Sequence, residues 1–283
     1  MDISAVGYQG PSFPFAIEAG KVHELARAVG STQAAYLDEV PIAMPIVLKV
    51  AQFHWEPSAG SAVDRVGFDL RTPPLHARQE FEFLGPPPSA GVRLRAQTTV
   101  DSIRERPSRR LGRVGEVVLS TDFRDVTGTV VARARTTSVQ PLMRPSEAAV
   151  APSEVARTTA GYSTRGLGPI TQTEVVRYQG ASGDFNPVHH DEAVWRAAGW
   201  PAVLVPGLYP AAVLSDLATE QFGAEQIRRL DITFGHSVWL GESLQCALAA
   251  PVHDDDGRIR VGLSCIRTSD GLSVTAGSAV FTG

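Results

Sequence analysis

Asp184 and His189 stand five residues apart in the segment Ala181-Ser182-Gly183-Asp184-Phe185-Asn186-Pro187-Val188-His189-His190-Asp191. A carboxylate and an imidazole are the side chains most often used to move protons at a reacting centre, and a positioned acid–base group is worth about 10²–10⁴-fold in rate. Pro187 lacks an N–H and biases Asn186 away from helical backbone angles, so the segment cannot be a helix interior. The spacing therefore places both groups on a rigid irregular stretch, where they can converge on one substrate atom. Asn186 then buttresses the loop or contacts a water, and Ser182 and Gly183 stand beside it as supporting residues.

Proton transfer next to a carbonyl also needs something to hold the negative charge on oxygen. A helix start offers unpaired backbone N–H groups and a favourable dipole. Val205-Pro206-Gly207-Leu208 reads as such a start. Pro206 has no hydrogen to donate, so Gly207 is the candidate, and its missing side chain allows close approach of a ligand. One such donor is worth about 10²–10³-fold.

Other polar residues have plainer readings. Asp184 alone could be a turn residue. His189-His190 invites a metal reading, but adjacent side chains of an extended chain point to opposite faces, and no further ligand cluster stands nearby. His54, His76, His236 and His253 read as structural or exposed. Arg104–Arg113 is the strongest local charge cluster. It reads as a solvated hairpin loop, with Arg109 and Arg110 as the alternative anchor for a phosphate group.

The chain that must position these groups repeats itself. Ile17–Glu39 aligns with Ile170–Glu192 at a constant offset of 153, with six identical pairs, among them Ala28/Ala181, Gly30/Gly183 and Asp38/Asp191. In that alignment Asp184 falls opposite Ser31, His189 opposite Tyr36, and Asn186-Pro187 opposite Gln33-Ala34. The first half thus lacks both proton-transfer groups. Each half opens with a short amphipathic helix, carrying Val22, Leu25, Ala26 and Val29 or Val175, Val176 and Tyr178. Asp191 can cap Glu192–Ala198, Gly199 stops it, and Leu208–Leu217 forms a longer apolar helix. Alternating segments then predict strands over Gln79–Phe83, Val114–Phe123, Val130–Val139, Asp231–Phe234, Leu244–Ala249, Arg258–Ile266 and Leu272–Phe281. One main helix followed by an antiparallel meander, twice, is α+β. Pro141–Gly168 is rich in Ser, Pro, Ala and Thr and reads as a linker.

The segment around Asp184 resembles the signature of the MaoC-like, (R)-specific enoyl-CoA hydratase family, roughly S-G-D-x-N-P-hydrophobic-H-x-D. Seven positions are filled: Ser182, Gly183, Asp184, Asn186, Pro187, His189 and Asp191. The resemblance implies a double hot-dog fold, two tandem domains in each of which a sheet wraps a helix. Residues 1–140 would be a non-catalytic N-terminal dehydratase-like domain, 141–168 a linker, and 169–283 the catalytic domain. It implies that Asp184 and His189 hold one water and add it to a trans-2-enoyl thioester, giving the (R)-3-hydroxyacyl thioester, or run the reverse dehydration in fatty-acid or related lipid metabolism. The family often has Ala-His-Gly or an apolar-Pro-Gly variant where this chain has Val205-Pro206-Gly207, and often tyrosine at His190. No metal or redox cofactor is implied; coenzyme A or a phosphopantetheine carrier enters as part of the substrate. A hot-dog thioesterase and a non-catalytic acyl-binding subunit are the competing readings. A homodimer and a heteromer with another MaoC-like chain are both compatible with the sequence.

Composition bounds the rest. A net charge of −4 over 283 residues offers no general attraction to nucleic acid. Cys246 and Cys265 form no C-x-x-C motif and read as buried thiols in a reducing, cytoplasmic setting. No signal peptide is visible at Met1-Asp2-Ile3-Ser4. No apolar run approaches the roughly 20 residues of a membrane span.

Overall fold

All the strands among the described residues join in one antiparallel sheet, most of them built on alternation of apolar and polar residues. The computed structural model describes residues 1–69, 74–108, 111–142 and 161–283. The first half contains β1 (Phe13–Ala16), α1 (Ala19–Ala28), α2 (Ala34–Leu37), α3 (Val47–Trp55), α4 (Ala62–Val66), β2 (Leu75–Phe83), β3 (Arg93–Ser108), β4 (Gly112–Arg124) and β5 (Val130–Pro141). The second contains β6 (Ser163–Leu167), α5 (Gln172–Ser182), α6 (Glu192–Ala197), α7 (Leu208–Phe222), β7 (Ile227–Phe234), β8 (Leu244–Leu248), β9 (Val252–His253), β10 (Arg258–Arg267) and β11 (Ser273–Thr282).

The strands run in the order β1-β3-β4-β5-β2-β7-β11-β10-β8-β6, with β9 alongside β10. Read inward from either edge, the two halves have the same order, β1-β3-β4-β5-β2 matching β6-β8-β10-β11-β7. The halves meet where β2 pairs with β7, from Arg78↔Thr233 to Glu82↔Arg229. Across that seam Arg78 pairs with Asp231 and Arg229 with Glu80. These partly exposed pairs set register more than they add stability. Two helices, α3 and α7, lie against the inner faces of the half-sheets. Helix α7 buries nearly every residue from Leu208 to Thr219, as expected of a helix apolar on all sides. This is the double hot-dog arrangement, and it is α+β as the pattern predicts. Among the described residues, no helix is long and apolar enough to cross a membrane.

Four strands escape the sequence pattern, among them β9, which is two residues long. β6 falls inside the segment expected to be linker. Ser-Thr-Arg-Gly-Leu is too short and polar to show alternation, and it becomes an edge strand because β8 offers it a free side. β1 is equally short. β3 alternates, with Leu94, Ala96, Thr98 and Val100 buried, but a bulge between Val100 and Ser102 breaks the period. The arginine cluster is likewise not a loop through its length. Arg104 and Arg106 lie on β3 and clamp the buried Glu116 of β4, and Arg113 pairs with Glu105. Arg109 and Arg110 lie outside the described residues, so the phosphate-anchor expectation is not placed.

Candidate active site

The approach to Asp184 is set by helix chemistry. Thr171 and Glu174 cap each other's backbone N–H groups and start α5. Gly183 ends it at φ +80°, a left-handed turn that glycine adopts without strain. A side chain there would also collide with His54 of α3, because a Cβ on Gly183 would lie 2.4 Å from the His54 Nε2. Helix α3 of the first half therefore abuts the proton-transfer segment of the second. Asn186 then caps a short 3-10 turn over Pro187–His189, its Oδ1 accepting from the Val188 N–H at 3.3 Å. This is the buttressing role among the two expected of it. Asp191 caps α6 by accepting from the Ala193 N–H at 2.9 Å.

These turns bring Asp184 and His189 together. Asp184 Oδ2 and His189 Nε2 are 3.8 Å apart, with side chains 17% and 9% exposed. On the other side of the ring, Nδ1 lies 2.7 Å from the Leu204 carbonyl oxygen. A carbonyl can only accept, so Nδ1 carries the hydrogen and Nε2 presents a lone pair. Burial pushes the His189 pKa below its ordinary value, and the nearby Asp184 carboxylate opposes this only in part. The ring is therefore neutral at neutral pH. Two acceptors 3.8 Å apart are too distant to bond directly but suit one water that donates a hydrogen to each.

The backbone of Asp184 is held by two hydrogen bonds. Its N–H donates to Ser182 Oγ at 3.2 Å, and its carbonyl accepts from Gln179 Nε2 at 2.9 Å. The same Gln179 amide reaches His190 Nδ1 at 3.0 Å. Gln179 carried no signal in the sequence beyond its place on α5. The turn is 3-10 rather than extended, yet His189 is buried and His190 exposed, so the two rings still part company. Among the described residues, no three potential ligands stand together. Tyr178, expected on the apolar face of α5, is buried there. Its hydroxyl is buried without a partner, and its ring tilts against Tyr209 with centroids 5.2 Å apart.

Gly207 stands at the start of α7 and is exposed. Among the described residues, none accepts a hydrogen bond from its N–H. Packing gives a second reason for a small residue here: a Cβ would meet the Phe234 ring at 3.2 Å, a tight contact from which the ring would have to shift. Phe234 in turn tilts against His76, with centroids 4.6 Å apart. His76 is not incidental: its Nε2 is buried without a partner, and burial with Lys49 nearby pulls its pKa down to about 3.

The counterpart positions in the first half are closed. Tyr36 donates to Thr219 Oγ1 at 3.0 Å, and Gln33 Nε2 donates to Asp216 Oδ1 at 2.7 Å. Where the second half exposes Asp184 and Asn186, the first half seals itself onto α7. Asp216 also takes Arg165 of β6 at 2.6 Å, which ties the edge strand to the same helix. Cys246 and Cys265 are buried opposite each other on β8 and β10, as free thiols 3.4 Å apart.

Comparison with known proteins agrees with the fold. Residues 154–261 match the MaoC like domain family. The chain resembles the crystal structure of a MaoC-like dehydratase from Phytophthora capsici, at TM-score 0.77 and 16% identity, over 100% of this chain and 98% of that one. It resembles HtdX of Mycobacterium tuberculosis at TM-score 0.67 and 17% identity, over 95% and 99% of the two chains. A second Mycobacterium tuberculosis protein, described as having a double hotdog fold, matches at TM-score 0.62 and 16% identity over 98% and 95%. No curated protein matches by sequence.

Proposed function

Since residues 154–261 match the MaoC like domain family, we propose that the protein is a hydro-lyase that interconverts trans-2-enoyl and (R)-3-hydroxyacyl thioesters. The observation that carries this reading is the pair of acceptors made by Asp184 Oδ2 and His189 Nε2, 3.8 Å apart, with the imidazole tautomer held by Leu204. A water that donates to both keeps a lone pair free to attack. Its oxygen bonds to Cβ of the enoyl group, and one of its hydrogens passes to the Asp184–His189 pair. The π electrons move toward Cα and the thioester oxygen, and Cα takes a proton from the same pair. Charge on that oxygen is met by the Gly207 N–H at the start of α7, where the helix dipole adds to the hydrogen bond. Dehydration is the same path reversed. In this reading residues 163–283 carry the chemistry, β6 included, and the first half covers the acyl group.

The test is to mix the protein with trans-2-enoyl-CoA esters of several lengths and follow the conjugated thioester absorbance. Loss of absorbance that yields hydroxyacyl-CoA, and that disappears in Asp184→Asn, supports the reading. Release of free thiol would make the protein a thioesterase instead.

A further inference from the structure

Helix α3 turns a polar face toward its sheet. Lys49, Gln52 and Glu56 lie three and four residues apart on one side of α3, while Val47, Leu48, Val50 and Ala51 fill the core on the other. The sheet answers with a polar row across four neighbouring strands. Thr98 of β3 and Thr121 of β4 are paired, their hydroxyls 2.9 Å apart, and Thr136 of β5 donates to its partner Gln79 of β2 at 2.8 Å. Gln52 Nε2 donates to Thr121 Oγ1 at 2.6 Å, and Lys49 Nζ donates to Gln52 Oε1 at 2.5 Å and Thr136 Oγ1 at 3.2 Å. All four sheet residues are buried.

This network is incomplete. Glu56 Oε1 and His76 Nε2 are buried with no hydrogen-bond partner. Among the described residues, no carboxylate lies within ion-pair distance of Lys49; its ammonium is met by the oxygens of Gln52 and Thr136 and by the Phe53 ring, 5.2 Å from the centroid. Lys49 keeps partial access to solvent. Burial holds its pKa down at about 8, with Glu56 and then Asp184 pulling it back up. At neutral pH it is a cation. A buried cation without an anion is an unusual thing to keep unless a ligand supplies the anion.

The cluster adjoins the proposed reaction centre on two sides. His54 of the same helix touches Gly183, next to Asp184. His76 tilts against Phe234, which packs on Gly207.

We propose that Lys49, with Gln52, Thr121 and Thr136, forms a subsite for the acyl part of the thioester and selects acyl groups that end in a carboxylate. The proposal rests on the hydro-lyase reading for the thioester itself. A carboxylate would take the free ammonium hydrogen and complete the charge pair in a dehydrated place, where charge-assisted bonds are strongest. The test separates the two readings by using saturated thioesters, which have no double bond to hydrate. Adipyl-, suberyl- and sebacyl-CoA are titrated calorimetrically against hexanoyl-, octanoyl- and decanoyl-CoA, with wild-type protein, Lys49→Met and Lys49→Gln. In the wild type, one carboxylated length should bind about 10–100-fold tighter than its plain counterpart, the range set by a hydrogen bond to a charged group. In Lys49→Met the preference should invert toward the plain chain. Lys49→Gln keeps polarity and length, loses the charge, and should lose the preference if the methionine variant does not fold. Plain chains bound as tightly as carboxylated ones at every length, or a preference that survives both substitutions, would overturn the subsite. A Lys49-dependent preference in a protein that hydrates no enoyl-CoA would leave the subsite standing and remove the hydro-lyase reading. Hydration of enoyl-CoA with no carboxylate preference would do the reverse.

Discussion

His189 donates its Nδ1 hydrogen to the carbonyl of Leu204, fifteen residues further along the chain, at 2.7 Å. That bond decides which nitrogen faces Asp184. It also joins the proton-transfer segment to the stretch Leu204-Val205-Pro206-Gly207 that delivers the proposed oxyanion donor. The two parts of the proposed reaction centre are thus tied by a hydrogen bond.

Asp184→Asn and His189→Gln should each lower kcat for enoyl-CoA hydration by about 10²–10⁴-fold, with little change in thermal stability for Asp184→Asn. Steady-state kinetics and a melting curve on each variant check this. A variant that keeps wild-type kcat would remove that residue from the chemistry.

Burial holds the His189 pKa below its ordinary 6.5. The neutral ring is the working form, so activity is retained down through pH 6.5 and falls only as pH drops through the lower, folded-state value. A pH profile of kcat/KM should therefore place its acid limb below 6.5. A limb centred above that value would contradict the assigned tautomer and burial.

His76 makes the same argument for stability. Its pKa is 6.5 when free and about 3 in the fold. Below 6.5 the unfolded chain binds a proton that the folded chain refuses, so stability declines as pH falls from 6.5 toward 3. His76→Phe should flatten part of that decline in chemical denaturation curves measured across the window.

Gly183→Ala carries two penalties, a left-handed backbone, about 1–2 kcal/mol, and a collision with the His54 ring. Adding His54→Ala should relieve the second and leave the first. Urea titration of the single and double variants reads the difference, and equal loss in both would mean His54 yields freely.

Tyr36→Phe should lower stability by about 0.5–1.5 kcal/mol through the lost bond to Thr219, while hydration kinetics stay at wild-type values. A large fall in kcat would show that the first half's closed counterpart takes part in the reaction after all.

Much of this was legible in the order of residues. The seven-position signature around Asp184, the offset duplication and the period of the long strands depend on local spacing, and local spacing survives in a one-dimensional string. So did the asymmetry between halves, because Ser31 and Tyr36 cannot do what Asp184 and His189 do. β3 was hidden by its bulge, and β1 and β6 by being too short for a period to show.

Other features depended on atoms from remote parts of the chain. The tautomer of His189 depends on Leu204, the fit of Gly183 on His54, the tight packing at Gly207 on Phe234, and the lowered pKa of Lys49 on its burial in the fold. A residue type states what a side chain is able to do. Its protonation, its desolvation and its partners belong to the space it is folded into, and only the tertiary structure decided those.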